Sequence, residues 1–505
     1  MIANLSTLQE KSPSVHKDMA WTRVIHVFGI LVLLASLLVI NTQHARAGGA
    51  LTVNMVNEGD DANPGDGFCA VTGGGCSLRA AIEEVNALPA VAGGVNVLFG
   101  LPGSGVHVIS ITSGPLPTIT NPINLDGTSQ PSCTAPCIVL SGANLVGPNL
   151  NGLALATNGS TVKGFIVTSW SGHGIAVNGD QNIVQGNDIG FWPGNPSLLP
   201  NGDGIAIYGS NNLIGGGLAG QGNVISGNTW QGITIANGCC SANASNVIQG
   251  NYIGTDATGT SALANHYHGI SAFNLANNTS ITNNVISGNT GFGLDLYGAT
   301  GSLVRGNKIG TNAAGTAAVP NGAGGISIEQ GANTNTIGGA AAGQPNTVSY
   351  NHGVGIKVIG ATSINNRLQR NSIFANTALG IDLGHPGVTP NDALDPDSGP
   401  NRLQNFAVLT AARSSGHLVM GTLNSVPNHS YTIEVFVSPA GSCDPSGYGE
   451  GKKFLGAKVV TTNAAGNASF SLTSSAAFSA GQVITATATD STGSTSEFSR
   501  CRAAN

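Results

Sequence analysis

Charge is what this chain has least of: only 8% of its residues are Asp, Glu, Lys or Arg, against about 25% in typical domains. With 18 Lys and Arg against 24 Asp and Glu and no basic cluster, no nucleic-acid partner is expected. Aromatic residues make up 5%, so aliphatic side chains must fill any core. Helical periodicity is missing from nearly all of the chain, which excludes a helix bundle or a doubly wound α/β sheet. The apolar run at 27–40 falls short of the about 20 residues a membrane span needs. Low charge does not imply disorder here, because 41% of the residues are hydrophobic.

What is abundant is glycine, 74 residues of it, and it is spaced. From Asn151 to about Gly384 a phrase of glycine followed by alternating apolar residues returns eight times, from Gly174-Ile175-Ala176-Val177 to Gly380-Ile381-Asp382-Leu383. The mean step is about 29 residues, within the range of solenoid repeats. A second phrase, Asn then a branched apolar residue two positions on, recurs at Asn187, Asn223, Asn251, Asn284, Asn307, Asn346 and Asn371. A third precedes it at Asn182, Asn212, Asn246, Asn335 and Asn366. Three short period-2 strands per repeat describe one coil of a parallel β-helix. Asn and Gly suit its corners because both tolerate left-handed backbone, and stacked Asn can form amide ladders. The chirality of parallel crossovers makes the helix right-handed. The expected fold is therefore all-β: a right-handed parallel β-helix with three strands per coil.

The ends differ from this middle. Residues 1–47 combine basic Lys11, Lys17 and Arg23, the apolar run and Ala45-Arg46-Ala47, the pattern of a signal peptide. Export is expected, with the membrane involved only through that signal. Residues 48–150 hold Cys76-Ser77-Leu78-Arg79-Ala80-Ala81, in which Ser77 is a plausible N-cap and Leu78, Ala81, Ile82 and Val85 share one helical face. Such a helix would cap the open apolar end of a solenoid. This segment resembles the Cys-Ser-Leu-Arg-Glu-Ala motif of secreted bacterial right-handed β-helix repeat proteins, with Ala80 where the motif has Glu. The resemblance implies the same architecture and location, and no single activity. Regular coils occupy 151–390, a polar linker 391–403, and 404–505 carries strand patterns at 417–423, 431–438, 458–462, 468–472 and 482–489. Five such strands in about 100 residues suggest an immunoglobulin- or fibronectin-like β-sandwich.

Eight cysteines fit an oxidising compartment. Short spacings suggest Cys69–Cys76 and Cys133–Cys137, and Cys443 with Cys501 closes the C-terminal module. Cys239 and Cys240 are left as a vicinal disulfide or two thiols.

Chemistry-bearing residues gather around the Gly-Ile phrases. The position before each phrase reads His173, Asp203, Gln231 and His268 in the first four coils, then turns apolar. Stacking at about 4.8 Å would let Asp203 orient His173 as a general base. The outward position within the phrase includes Thr234, Ser271, Asp295, Ser327, Lys357 and Asp382, of which Lys357 and Asp382 are expected to pair. Asp295 and Asp382 lie three coils apart, about 14 Å by that spacing, too far for a paired-carboxylate hydrolase. Loops at 191–201, 255–266 and 311–321 should stack into ridges beside this row. Asp392, Asp395 and Asp397 are a possible calcium site, as are Asp60, Asp61, Asn63 and Asp66; no other cofactor is suggested. The leading expectation is an exported surface or matrix protein that binds glycan or another surface ligand along its sheet. A polysaccharide-active enzyme, lyase before hydrolase, working at His173 and Asp203 is the alternative. A spacer presenting the sandwich is a third.

Overall fold

Each of the three recurring phrases falls on its own parallel sheet. The computed structural model describes residues 49–194, 198–236, 244–274, 276–384 and 386–505. The expected signal peptide at 1–47 and residues Cys239 and Cys240 lie outside the described residues. Among the described residues the three sheets contain 11, 10 and 9 strands, each ordered by the rise of the coils. The third sheet, from Leu153–Leu155 to Ile381–Leu383, carries the Gly-Ile phrases. Its register is the expected one: Ile205 pairs with Ile175 below and Ile233 above. Ile233 and Ile326 point inward and are wholly buried. The molecule is thus a right-handed parallel β-helix around one aliphatic column, closed at its far end by an antiparallel sandwich.

Asparagine holds the corners. Asn187, Asn223, Asn251, Asn284, Asn307, Asn346 and Asn371 form an unbroken ladder in which each Nδ2 donates to the Oδ1 of the next at 2.9–3.0 Å. A second complete ladder runs through Asn201, Asn228, Asn265, Asn289, Asn321, Asn351 and Asn376 at 2.9–3.1 Å. These amides are buried apart from Asn376 at the last coil, so deleting one would leave partners unpaired at about 1–3 kcal/mol each. The second ladder also dictates glycine beneath it. Gly190, Gly254 and Gly310 have φ of +96°, +85° and +86°, and a Cβ there would come within 2.2–2.3 Å of an oxygen of the next coil. After each of these glycines the chain leaves the coil as one of the three long loops. In the coils above two of them a serine replaces the loop: Ser226 and Ser287 donate to Thr255 O and Thr311 O at 2.7 Å. The two similar loops stack across the intervening coil, with Ala313 N donating to Gly259 O at 2.8 Å.

At the first end, the helix Leu78–Ala87 covers the column with Leu78, Ala81, Ile82 and Val85 buried, and Ser77 Oγ accepts from Ala80 N at 3.0 Å. Arg79 turns inward to Glu58, 2.7 Å away, both side chains under 10% exposed. Glu58 also accepts from Ser113 N at 2.8 Å. Burial raises the Glu58 carboxyl, but the donors of Thr112, Arg79 and Ser113 prevail and hold it down at about 2. The acidic loop before the helix is closed by the helix itself: Asp61 N donates to Glu83 at 2.7 Å and Gly67 N to Glu84 at 2.6 Å.

At the other end, sheets of three and four antiparallel strands enclose a separate core that includes Tyr431, Ile433 and Phe470. They include the expected strands, as Leu418–Asn424, Ser430–Ser438, Lys453–Thr461, Asn467–Thr473 and Val483–Asp490. Phe436 and Phe498, 5.5 Å apart edge to face, extend the solenoid's column instead. Three buried glutamates of this module meet the three corners of the last coil. Glu434 accepts from Arg370 N at 2.9 Å, Glu450 from Asn376 N and Nδ2 at 3.0 Å, and Glu497 from Leu383 N at 3.0 Å. The polar connection at 391–403 is anchored at its end: Asn401 is fully buried and accepts from Asn366 N at 2.9 Å. Disulfides join Cys69–Cys76, Cys133–Cys137 and Cys443–Cys501.

Candidate functional site

The outward face of the third sheet is built in three rows. Its floor is the outward residue of each phrase. One wall is the residue before each phrase, and the other is the residue after it, including Tyr208, Phe273, Tyr297 and Glu329. The floor points outward as the register requires, yet it is nearly sealed. Thr234 is 8% exposed, Ser271 0%, Asp295 3%, Ser327 2% and Asp382 3%. The expectation that Thr234, Ser271, Asp295 and Asp382 lie open to a ligand is therefore corrected.

His173 and Asp203 do meet. Nδ1 of His173 lies 3.3 Å from Asp203 Oδ2, but that nitrogen makes no hydrogen bond. The carboxylate is instead engaged by Gln231 N at 3.1 Å and Thr234 Oγ1 at 3.0 Å. On its other side the imidazole Nε2 is 3.1 Å from the Tyr208 hydroxyl. That contact crosses from wall to wall and closes the floor over Ala206. Burial, with the Asp203 charge, raises the Tyr208 phenol. Every polar group of this cluster except His173 Nδ1 has a partner within it, which is the pattern of a brace.

A second histidine–aspartate pair lies three coils further on. His268 Nδ1 accepts from Phe292 N at 2.9 Å, so Nε2 carries the proton in the neutral ring. That nitrogen is 4.0 Å from Asp295 Oδ2. Burial pushes the imidazole down to about 4, and burial together with Glu329 pushes the Asp295 carboxyl up to about 7. Between those values both groups are uncharged. Asp295 Oδ1 has no hydrogen-bond partner. The expected pairing of Lys357 with Asp382 is corrected too: they face each other in register, but no ion pair of 4.0 Å or less forms. Burial raises Asp382, opposed by the Gly387 N–H and the Lys357 charge.

Sequence reasoning missed the second wall, and with it Tyr208, Tyr297 and Glu329. The signal was available, since these residues stand two positions after each floor residue. It also missed the ladder at the rim, although its Asn falls four residues before the phrase glycine in six of seven coils, Asn201 being the exception.

Asp392, Asp395 and Asp397 converge, with carboxylate oxygens within 4.8 Å of one another. Asp395 is buried and accepts from Gln404 Nε2 at 2.7 Å and from Ser425 Oγ, and burial raises it to about 6. Three carboxylates at that spacing suit a hard cation that favours oxygen ligands.

No protein-family model matches the chain, and no curated protein does. Two solved structures are similar in backbone course. A periplasmic alginate epimerase is 15% identical with a TM-score of 0.34, over 59% of this chain and 67% of that one. A pectate lyase, Pel9A, is 15% identical with a TM-score of 0.31, over 69% of this chain and 80% of that one.

Proposed function

We propose that this is an exported protein that binds glycan along the rim of its third sheet. The observation that carries the reading is the aligned row His173, Asp203, Gln231 and His268, braced from beneath and set at one position of four successive coils. A row of hydrogen-bonding groups repeating at the coil spacing suits a polymer that repeats as well. The three disulfides support export, and among the described residues no helix is long and apolar enough to cross a membrane. Purified residues 48–505 on a polysaccharide panel test this: retention without product release is expected. Failure to retain any polysaccharide would overturn it.

One observation favours a second, catalytic reading, at a place other than His173. Asp295, raised by burial to about 7 and with one oxygen unpartnered, lies 4.0 Å from the uncharged His268 imidazole, a carboxylic acid held ready to give up its proton near neutrality. Product release abolished by Asp295→Asn, with retention intact, would establish it in place of the binder.

A further inference from the structure

We propose that Trp230 and Tyr267 form a stacking platform for a glycan of neutral or amino sugars; this rests on the glycan-binding reading and names its ligand class. The position two residues before each phrase glycine is Gly172, Gly202, Gly291, Ala323, Gly353 or Ala378 in six of the coils. Only the third and fourth coils place a large ring there. The pairing of Ile233 with Ile270 sets Trp230 opposite Tyr267 on neighbouring coils. The rise of about 4.8 Å per coil is close to the length of one pyranose unit along its chain. Both rings are left in solvent, Trp230 59% and Tyr267 49% exposed. In a chain with 5% aromatics, two adjacent uncovered rings at one register position mark a surface kept for a partner.

The platform borders the polar row. Gln231 and His268 are the next residues in the chain, and the Tyr267 ring rests on that of His268, centroids 4.1 Å apart. Beside Trp230 opens a hollow lined by Ser169, Ser171, Leu199, Pro200 and Thr229.

Charge selects the class of sugar. Between Lys163 and Arg305 the chain contains no Lys or Arg, while Asp180, Asp203 and Asp256 fall in the same stretch. A polyuronate laid on these coils would meet fixed carboxylates and no fixed cation. A neutral sugar meets no such repulsion, and an ammonium sugar is drawn to the carboxylates and to the negative faces of the rings.

Calorimetric titration of residues 48–505 with cellohexaose, a glucosamine hexamer and hexagalacturonate tests this, using wild type, Trp230→Ala and Tyr267→Ala. Both rings are exposed, so each variant should keep the wild-type melting temperature. The expected result is binding of one or both of the first two probes, none of the third, and about a tenfold or greater loss in each variant. Undiminished binding by both variants would overturn the platform while leaving the glycan reading standing. Preference for hexagalacturonate would overturn the ligand class. Absence of binding to all three probes would overturn this proposal, with the wider polysaccharide panel deciding the glycan reading separately.

Discussion

The two ends of the solenoid solve one problem by opposite electrostatics. At the N-terminal end a buried glutamate, Glu58, meets a buried arginine and several N–H and O–H donors, and its carboxyl is held near 2. At the C-terminal end Glu434, Glu450 and Glu497 meet mainly backbone N–H groups, and of the three Glu434 alone has a cation within 4 Å, Arg370 Nε at 3.8 Å. Burial there outweighs the donors, and Glu434 and Glu497 rise to about 7. The lesson is that burial alone does not set a carboxylate's charge; the number and charge of its donors do.

The largest effect should come from breaking the ion pair. Arg79→Ala leaves Glu58 buried without its cation, held only by the Thr112 and Ser113 donors, which costs about 3 kcal/mol, measured by denaturant unfolding of residues 48–505. A loss below about 1 kcal/mol would show that the pair is not sealed from water, and the contrast between the ends would fail. Glu450→Ala should cost less, about 1–3 kcal/mol, because it leaves buried N–H groups of Asn376 and its neighbour unpaired.

A smaller increment should come from calcium. If Asp392, Asp395 and Asp397 hold it, calcium at ten times its Kd adds about 1.4 kcal/mol, visible as a rise in melting temperature that a chelator reverses. Asp397→Asn should abolish that rise, and an equal rise in the variant would exclude the cluster.

The finest test is the sign of the pH response at each end. Glu497 and Glu434 have folded pKa values above the ordinary 4.5, so the folded state binds more protons. Their contribution is greatest below about 4.5 and is lost as pH rises through about 7. Glu58 lies below 4.5, so its contribution is present above that value and is lost as pH falls through about 2. Hydrogen exchange, corrected for intrinsic rates, should show Leu383 and Arg370 opening more readily at pH 8 than at pH 5. Thr112 and Ser113 should be indifferent over that window. Equal responses would refute the opposed electrostatics.

Much of the solenoid was legible because its rules are local. The alternation in Gly204-Ile205-Ala206-Ile207 states which side chains face in, whatever lies around it, and all eight phrases took the register so implied. The helix face and the three short-range or within-module disulfides were legible for the same reason. The candidate site was only half legible. The contact of His173 with Asp203 followed from register. That Thr234 would spend its hydroxyl on Asp203, or that Tyr208 would cross the floor to His173, did not, because neither follows from a residue's place in its own coil.

What the sequence by itself determined, then, is the coil: strand, corner, inward and outward position, each written within about 29 residues and repeated. What only the tertiary structure decided is everything that passes between coils or between modules. Neighbouring coils differ in length, with 28 residues from Ile205 to Ile233 but 37 from Ile233 to Ile270, so spacing does not disclose which residues stack. The pairing of Trp230 with Tyr267, the partner of Arg79 and the three glutamates on the last coil all depend on alignment across such loops. Burial completes the reason: the charge that Glu58, Asp295 or Glu497 carries is set by neighbours far away in the chain, and these the fold alone brings close.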